Sequence, residues 1–578
     1  MNGFFNSNNK EGESISFKSS ASTFAASSSV TNSVNGASWL FSADTKIQSI
    51  TPNYNHGVAE VYDVKYMYHD LSRVYTFDLS STPEVFSELD FSKFKNCISY
   101  KITNSNVTGF TFPNTSISST PLTIYVNNNK IKELDFSPFT NLGISATIRA
   151  HDNNLMTAIT LSSSGGTLNT FWMSFCPLMT EIDLSGLNDI SGNFFLNNNS
   201  SLSSVTFPTI VNALTDLRLY SCDFKSLDLT PLTNFSTKFD ISTNINLTAI
   251  TFPTTSTEII SGGFNNLTSI PNLTLTGLTG IREIRFSNNT SMTTIAFPSH
   301  SLDIISIYGG GCDLLTDLDF SPLSGFGGIF SVASSGVLSG ITFPNSSNTW
   351  TSPNFSSCNF NYLDLSSMSG LTGTLNISSN VNLTGITFPS TTRVTGINAN
   401  GSDLYDTVDL SPLSNLGGTI EFEGNANLDT LTFPNTSQSI TKLSLSSCGF
   451  VGELNLNILS GLNSYVATSN ISTLTNIVFP TTSAQFTNLY LYQCDLDYID
   501  FNPISGGTSN GIVVWLNDNA MAVADVNHIL YDLDSFGWTG GTLRIEGTND
   551  APDGSSGGFN GTGATENLTA KSWTITKS

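Results

Sequence analysis

Apolar residues along most of this chain recur in short bursts separated by polar turns. Leu214, Leu217, Leu219, Phe224, Leu227 and Leu229 form one such series, and Ile281, Ile284, Phe286, Met292, Ile295 and Phe297 form another. Within each series a period-2 pair such as Leu217 and Leu219 predicts a short strand with both side chains on one face and the residue between them facing outward. A second extended stretch follows and closes on Phe-Pro in one type of series. Proline lacks an N–H, so these prolines are expected at corners where a ladder stops.

The bursts repeat at a fixed interval. Phe-Pro prolines stand at 113, 208, 253, 298, 344, 389, 434 and 480, at gaps of 95, 45, 45, 46, 45, 45 and 46. The first gap hides a degenerate copy at Ile159-Thr-Leu-Ser162. A second landmark, apolar-Asp-apolar, places Asp at 90, 135, 183, 228, 319, 364, 409 and 500, with Thr274 and Asn455 in the two missing slots. From Asp90 to Asp500 is 410 residues over nine intervals, a mean of 45.6. The two landmarks interleave, so each unit is a pair of similar coils. A fixed period of this length marks stacked supersecondary units.

Leu214-x-x-Leu-x-Leu219-x-x-Cys222-x-Phe224 and Ile281-x-x-Ile-x-Phe286-x-x-Asn289 resemble the leucine-rich-repeat consensus almost position for position. The endings on Ile-x-Phe-Pro resemble the BspA-like bacterial subclass, although the Ala-Phe-x-x-Cys step usual there is absent. The resemblance covers about residues 85–505. It implies a mainly β solenoid with a parallel strand ladder, about 18 coils of 22–24 residues in 45–46-residue pairs, and capping ends. Connections such as Ser321-Pro-Leu-Ser-Gly-Phe-Gly-Gly328 are too short for full helices, so turns and 3₁₀ pieces are expected on the back face.

Two columns carry candidate chemistry. Cys176, Cys222, Cys312, Cys358, Cys448 and Cys494 share one slot, with Asn265 and Ser402 in the intervening copies. The alternate coils carry Asn153, Asn199, Asn244, Asn289, Asn380, Asn425 and Asn470 there, with Ser335 as the exception. The resemblance implies that this slot turns inward and bonds backbone groups of adjacent coils. Cysteines two coils apart lie roughly 9–10 Å from one another, beyond disulfide reach. Free internal thiols are therefore expected, and Cys97 falls outside the column. The second column is the outward Asp series, including Asp228, Asp319, Asp364, Asp409 and Asp500, alternating with Thr206, Thr251, Thr342, Thr387 and Thr432. It is a candidate polar-ligand stripe, or a solubility stripe that keeps the strand face from associating. One carboxylate every second coil is too sparse for calcium.

Composition narrows the function. Asn, Ser and Thr make 215 of 578 residues, charged residues only 11%, and the net charge is −24. Nucleic-acid binding needs clustered Lys and Arg and is disfavoured. No apolar run is long enough to span a membrane as a helix. His56, His69, His151, His300 and His528 share no column. Gly554-Ser-Ser556-Gly-Gly558 matches G-x-S-x-G but lacks the strand and helix that a nucleophile elbow requires. No catalytic, metal or cofactor site is expected.

The ends differ from the array. Residues 1–84 are expected to be an attachment or capping region, with the first ~45 compatible with disorder. Residues 506–578 are expected to be a cap in which Val523, Val526, Leu530 and Leu533 mark one helix, and Thr542–Ile545 and Trp573–Thr576 form a small β element. This tail resembles closing segments of bacteriophage tail and virion proteins. No basic and apolar leader is visible at the N-terminus. The expectation is a non-enzymatic phage surface protein, a tail-fibre, receptor-binding or capsid-fibre component at the virion surface. Its partners would be other virion proteins through the N-terminal region and a host-surface protein or glycan, with a homo-oligomer open. The alternative is a secreted or cell-surface bacterial adhesin binding protein or glycan.

Overall fold

In the computed structural model of the chain, described residues comprise most of 89–578, apart from short loop stretches, and the backbones of seven short strands upstream. Of these, Glu13–Ser19 pairs antiparallel with Tyr62–Tyr68 and with Phe86–Asp90. The expected flexible attachment segment otherwise lies outside the described residues. Two compact units divide the chain, Met1–Pro298 and Ser299–Ser578.

In the first unit, a parallel ladder runs through Ser99–Lys101, Thr123–Tyr125, Ala146–Arg149, Thr167–Trp172, Asp189–Phe195, Ala213–Arg218, Phe235–Asp240, Ile259–Gly263 and Glu283–Arg285. The second unit repeats the arrangement from Ser306–Tyr308 to Phe486–Tyr490. The strands alternate as expected: Ile148, Phe194, Leu217 and Leu489 are buried, and the residues on either side of each are at least partly exposed. The mainly β solenoid of ~23-residue turns is the fold.

The second extended stretch forms separate two-stranded parallel sheets, each joining an Asp coil to the Phe-Pro coil after it. Asp183 stands opposite Thr206, Asp228 opposite Thr251, Asp319 opposite Thr342, Asp364 opposite Thr387, and Asp409 opposite Thr432. The prolines follow two residues after these strands end. Phe207, Phe297, Phe343, Phe388 and Phe433 beside them are buried. Back-face connections close by i→i−3 backbone bonds, such as Leu232 N–H to Leu229 at 2.9 Å and Leu413 N–H to Leu410 at 3.0 Å.

Beyond residue 505 the ladder continues: Val513–Trp515 pairs with Phe486–Tyr490, then Thr542–Ile545 and Thr574–Lys577 add in parallel. Helix α1, Val523–Ser535, lies where the periodicity placed it. A second helix, α2, Gly561–Ala570, occupies the next connection. Its sequence, Gly-Thr-Gly-Ala-Thr-Glu-Asn-Leu-Thr-Ala, carries too weak an apolar stripe for the sequence to have shown it. The indole of Trp538 donates to Gly507 O at 2.7 Å, and that of Trp573 to Trp538 O at 2.9 Å, fastening these connections to the stack.

Candidate ligand-binding face

The inward column is a hydrogen-bond ladder. Asn244 is fully buried; its Oδ1 accepts from Cys222 N at 3.2 Å, and its Nδ2 donates to Leu219 O and Ile241 O at 2.9 and 2.6 Å. Asn199, Asn289, Asn380 and Asn425 repeat this triple contact. The residue before the slot is held at positive φ, as at Asn198 (61°), Ser221 (57°) and Gly424 (77°). Asn, Ser and Gly tolerate that region best, which accounts for part of the polar composition.

Cys176, Cys222, Cys312, Cys358, Cys448, Cys494 and Cys97 are all buried and unbridged. The Cys448 thiol donates to Phe422 O at 3.0 Å and that of Cys494 to Thr468 O at 2.9 Å. Burial pushes Cys97, Cys176, Cys222 and Cys448 up to about 12, and Cys358 and Cys494 to about 11. These are inert thiols.

Two assignments to the slot are corrected. Asn265 and Asn470 do not occupy it; Leu267 and Ile471, buried, do. Asn470 is the exposed positive-φ residue at 60°, and Asn265 Oδ1 accepts from Ser287 N at 2.8 Å beside the strand face. An apolar residue in the slot fills core volume, and the amide falls one or two positions earlier. Conversely, Asn519 and Asn549 continue the ladder past residue 505. Asn519 Nδ2 reaches Leu491 O and Leu516 O at 2.8 and 2.7 Å, and Asn549 Nδ2 reaches Leu516 O at 2.8 Å.

The Asp column has a structural role that the sequence reading did not assign. In Asp228, Asp319, Asp364, Asp409 and Asp500, Oδ1 accepts the backbone N–H two residues on, at 2.9–3.0 Å. Each is an Asx turn that bends the chain into the back-face connection. The Asp-x-Ser/Thr spacing was the available signal. Asp183 makes the same contact, and its bonds to Ser185 hold its carboxyl below the ordinary value. Among the described residues no cluster of three or more His, Cys, Asp or Glu could hold a metal. Ser556 donates to Asp553 Oδ2 at 2.5 Å within a 3₁₀ turn, so the G-x-S-x-G match is a loop staple.

The outward file of the main ladder carries partly exposed aromatics in register. In the first unit, strand pairing sets Tyr125, Arg149, Trp172, Phe195 and Arg218 side by side in order. The Arg149 guanidinium lies 4.8 Å from the Tyr125 ring centre, and that of Arg218 lies 4.4 Å from Phe195. His151 stacks on Trp172 at 4.0 Å. In the second unit the same file reads Glu421, Ser444, Ala467, Tyr490, Trp515 and Arg544. Tyr490 meets Trp515 at 4.7 Å, and Arg544 covers Trp515 at 5.1 Å. On the neighbouring file Lys442 covers Tyr465 at 5.0 Å and bonds Glu421 at 2.5 Å. Cation–aromatic contacts fix these rings in place.

Because Ser444 and Ala467 are small, the face dips between the glutamate coils and the aromatic coils. An open groove of about 650 Å³ results, lined by Asn400, Glu423, Tyr465, Ser469, Tyr490 and Trp515 among others. This volume lies within the range of small-ligand sites. The sequence reading missed it because single aromatic residues at outward positions do not look periodic.

The BspA type leucine rich repeat region model matches residues 147–239, 240–327, 328–401 and 413–506. No curated protein matches the chain. Among solved structures, a leucine-rich repeat protein from Bacteroides ovatus is 16% identical, covering 58% of this chain and 82% of its own, with a TM-score of 0.30. A TLR13–ssRNA13 complex is 12% identical, covering 79% and 75%, with a TM-score of 0.15. Nothing in these comparisons supports the phage-tail resemblance of the C-terminal segment, which the structure builds as further coils of the ladder. With more than half of its length matched, the chain belongs to the BspA-type leucine-rich-repeat family.

Proposed function

We propose that this chain is a non-enzymatic recognition protein, secreted or displayed at a bacterial cell surface, that binds a protein or glycan on another surface through the outward face of its strand ladder. The observation that carries this reading is the partly exposed aromatic and cationic file on that face, with Trp515 and Tyr490 walling a groove. Partly exposed Tyr and Trp rings held by neighbouring cations present apolar area that folding alone does not require. Such rings dominate binding energetics where they occur. Family membership supports a binding scaffold, and long solenoid faces are suited to extended ligands. The acidic balance of 45 Asp and Glu against 21 Lys and Arg speaks against nucleic acid as the partner.

The experiment is protease shaving and antibody labelling of intact producing cells, alongside fractionation of culture supernatant. The proposal expects the chain outside the cell. Recovery only in purified phage particles would return it to the virion reading, and recovery only in the cytosol would sink both.

A further inference from the structure

We infer that the groove walled by Tyr490 and Trp515 binds a linear, uncharged oligosaccharide of about four pyranose rings, an assignment that rests on the recognition reading above. From the Glu421 coil to the Trp515 coil there are four strand steps, roughly 19 Å at 4.8 Å each. A pyranose unit extends a glycan chain by about one such step, so the periodicities of glycan and ladder match.

Chemistry selects the ligand class. A pyranose has an apolar C–H face and a rim of hydroxyls. Tyr465, Tyr490, Tyr492 and Trp515 are partly exposed rings that offer apolar area to the former. Asn400, Glu423, Ser446 and Ser469 line the same groove and can bond the latter. Ser446 and Ser469 are joined hydroxyl to hydroxyl at 2.9 Å across two coils, which places two polar atoms on the groove floor. Trp515 Nε1 and Asn517 Oδ1, two positions apart on this face, have no protein partner. Buried polar atoms are seldom left so, and they leave hydrogen-bonding capacity behind the aromatic wall.

Charge excludes acidic sugars. Away from the Trp515 end the groove lining carries Glu423, and no Lys or Arg is among its lining residues. Lys442 is paired with Glu421, and Arg544 with Glu546. Among the described residues that line the groove there is no cation to meet a carboxylate or sulfate. A protein segment would anchor through an apolar side chain in a dry pocket, whereas this groove is open and alternates rings with amides, hydroxyls and a carboxylate.

The test is calorimetry and tryptophan fluorescence of the full chain with tetrasaccharides of glucose, mannose, galactose and N-acetylglucosamine. A hyaluronan tetrasaccharide is the acidic comparator. At least one uncharged tetrasaccharide is expected to bind, at least tenfold more tightly than its disaccharide. Trp515→Ala and Tyr490→Ala are expected to weaken it tenfold or more. Ser446→Trp, which fills the groove and leaves the aromatic wall in place, is expected to abolish binding with an unchanged circular-dichroism melt. No binding of any uncharged tetrasaccharide, preference for the acidic one, or insensitivity to Ser446→Trp overturns the assignment. If the chain meanwhile binds immobilised extracellular proteins, recognition stands and only the glycan falls. If it binds neither, both fall.

Discussion

The inward asparagine ladder is the part of this fold most exposed to single-residue perturbation, and Asn244→Ala measures it. Truncation strands three buried backbone groups: the Cys222 N–H and the Leu219 and Ile241 carbonyls, now bonded at 3.2, 2.9 and 2.6 Å. An unsatisfied buried group costs about 1–3 kcal/mol. Water entering the space left by the amide would recover part of this. The net expectation is a loss of about 3–5 kcal/mol, concentrated in the coils on either side because solenoid stability is a sum over neighbours. Asn244→Ser is expected to lose about half as much, since Ser402 occupies an equivalent slot and donates to Ile377 O at 2.9 Å. Asn244→Asp keeps the acceptor but aims a carboxylate at two carbonyls, so it is expected to be worse than alanine at pH 7 and to improve on acidification as the carboxyl protonates. Urea denaturation with amide exchange at Cys222 reads both the magnitude and its location. An alanine variant within about 1 kcal/mol of wild type, with Cys222 still protected, would refute the ladder as a source of stability.

Other outcomes follow from the same geometry. Native protein is expected to leave all seven cysteines unreacted with a thiol reagent at pH 8, and urea should release them; rapid native labelling at Cys222 or Cys448 would contradict their burial. The raised thiol values also set an alkaline limit. Native thiols near 12 keep protons that unfolded thiols lose from 9.0 upward, so stability is intact below pH 9 and declines between about 9 and 12. The decline is on the order of 1 kcal/mol per thiol by pH 10, and Cys222→Ala should make the dependence shallower by one proton. For the Asp column, Asp319→Ala is expected to destabilise by about 1 kcal/mol through loss of the bond from Ser321 N, while Asp319→Asn retains it; equal melts for the two would contradict the turn role. Tyr498→Phe removes the 2.7 Å bond to Asp532 on helix α1 and should raise exchange of α1 amides, with a cost of about 1–2 kcal/mol; unchanged exchange would show that this bond does not hold the helix, which its buried face and the His528 stack then hold without it.

Much of this fold was legible because one signal repeats. A 45–46-residue period, with period-2 apolar pairs inside each coil, specifies the parallel ladder, the corner prolines and the inward slot. Legibility failed where the period stretched. Asn519 follows Cys494 by 25 residues and Asn549 follows Asn519 by 30, the latter because helix α1 lies in that connection, as α2 lies in the next; the coils there looked like a separate cap. Val514-x-Leu516-x-x-Asn519 nevertheless carries the repeat signature. It failed differently at Asn265 and Asn470, where an asparagine near the slot was mistaken for the residue in it. The candidate site was least legible. Its rings occupy outward positions that packing leaves free, so no hydrophobic rhythm marks them, and only strand register places Tyr490 beside Trp515. The Asp column, conspicuous in the sequence, is conspicuous because every coil pair needs the same turn.

The account assigns recognition to the aromatic face and structure to the two conspicuous columns, and one comparison separates these roles. Wild type, a face variant (Tyr465→Ala, Tyr490→Ala and Trp515→Ala) and a column variant (Asp319→Asn, Asp364→Asn and Asp409→Asn) would be applied to one array of immobilised glycans and extracellular proteins, with melting curves to confirm folding. The account predicts that wild type and column variant bind the same spots with affinities within about twofold, and that the folded face variant loses at least tenfold. A face variant that binds as wild type does, or a column variant that loses the signal, would contradict it.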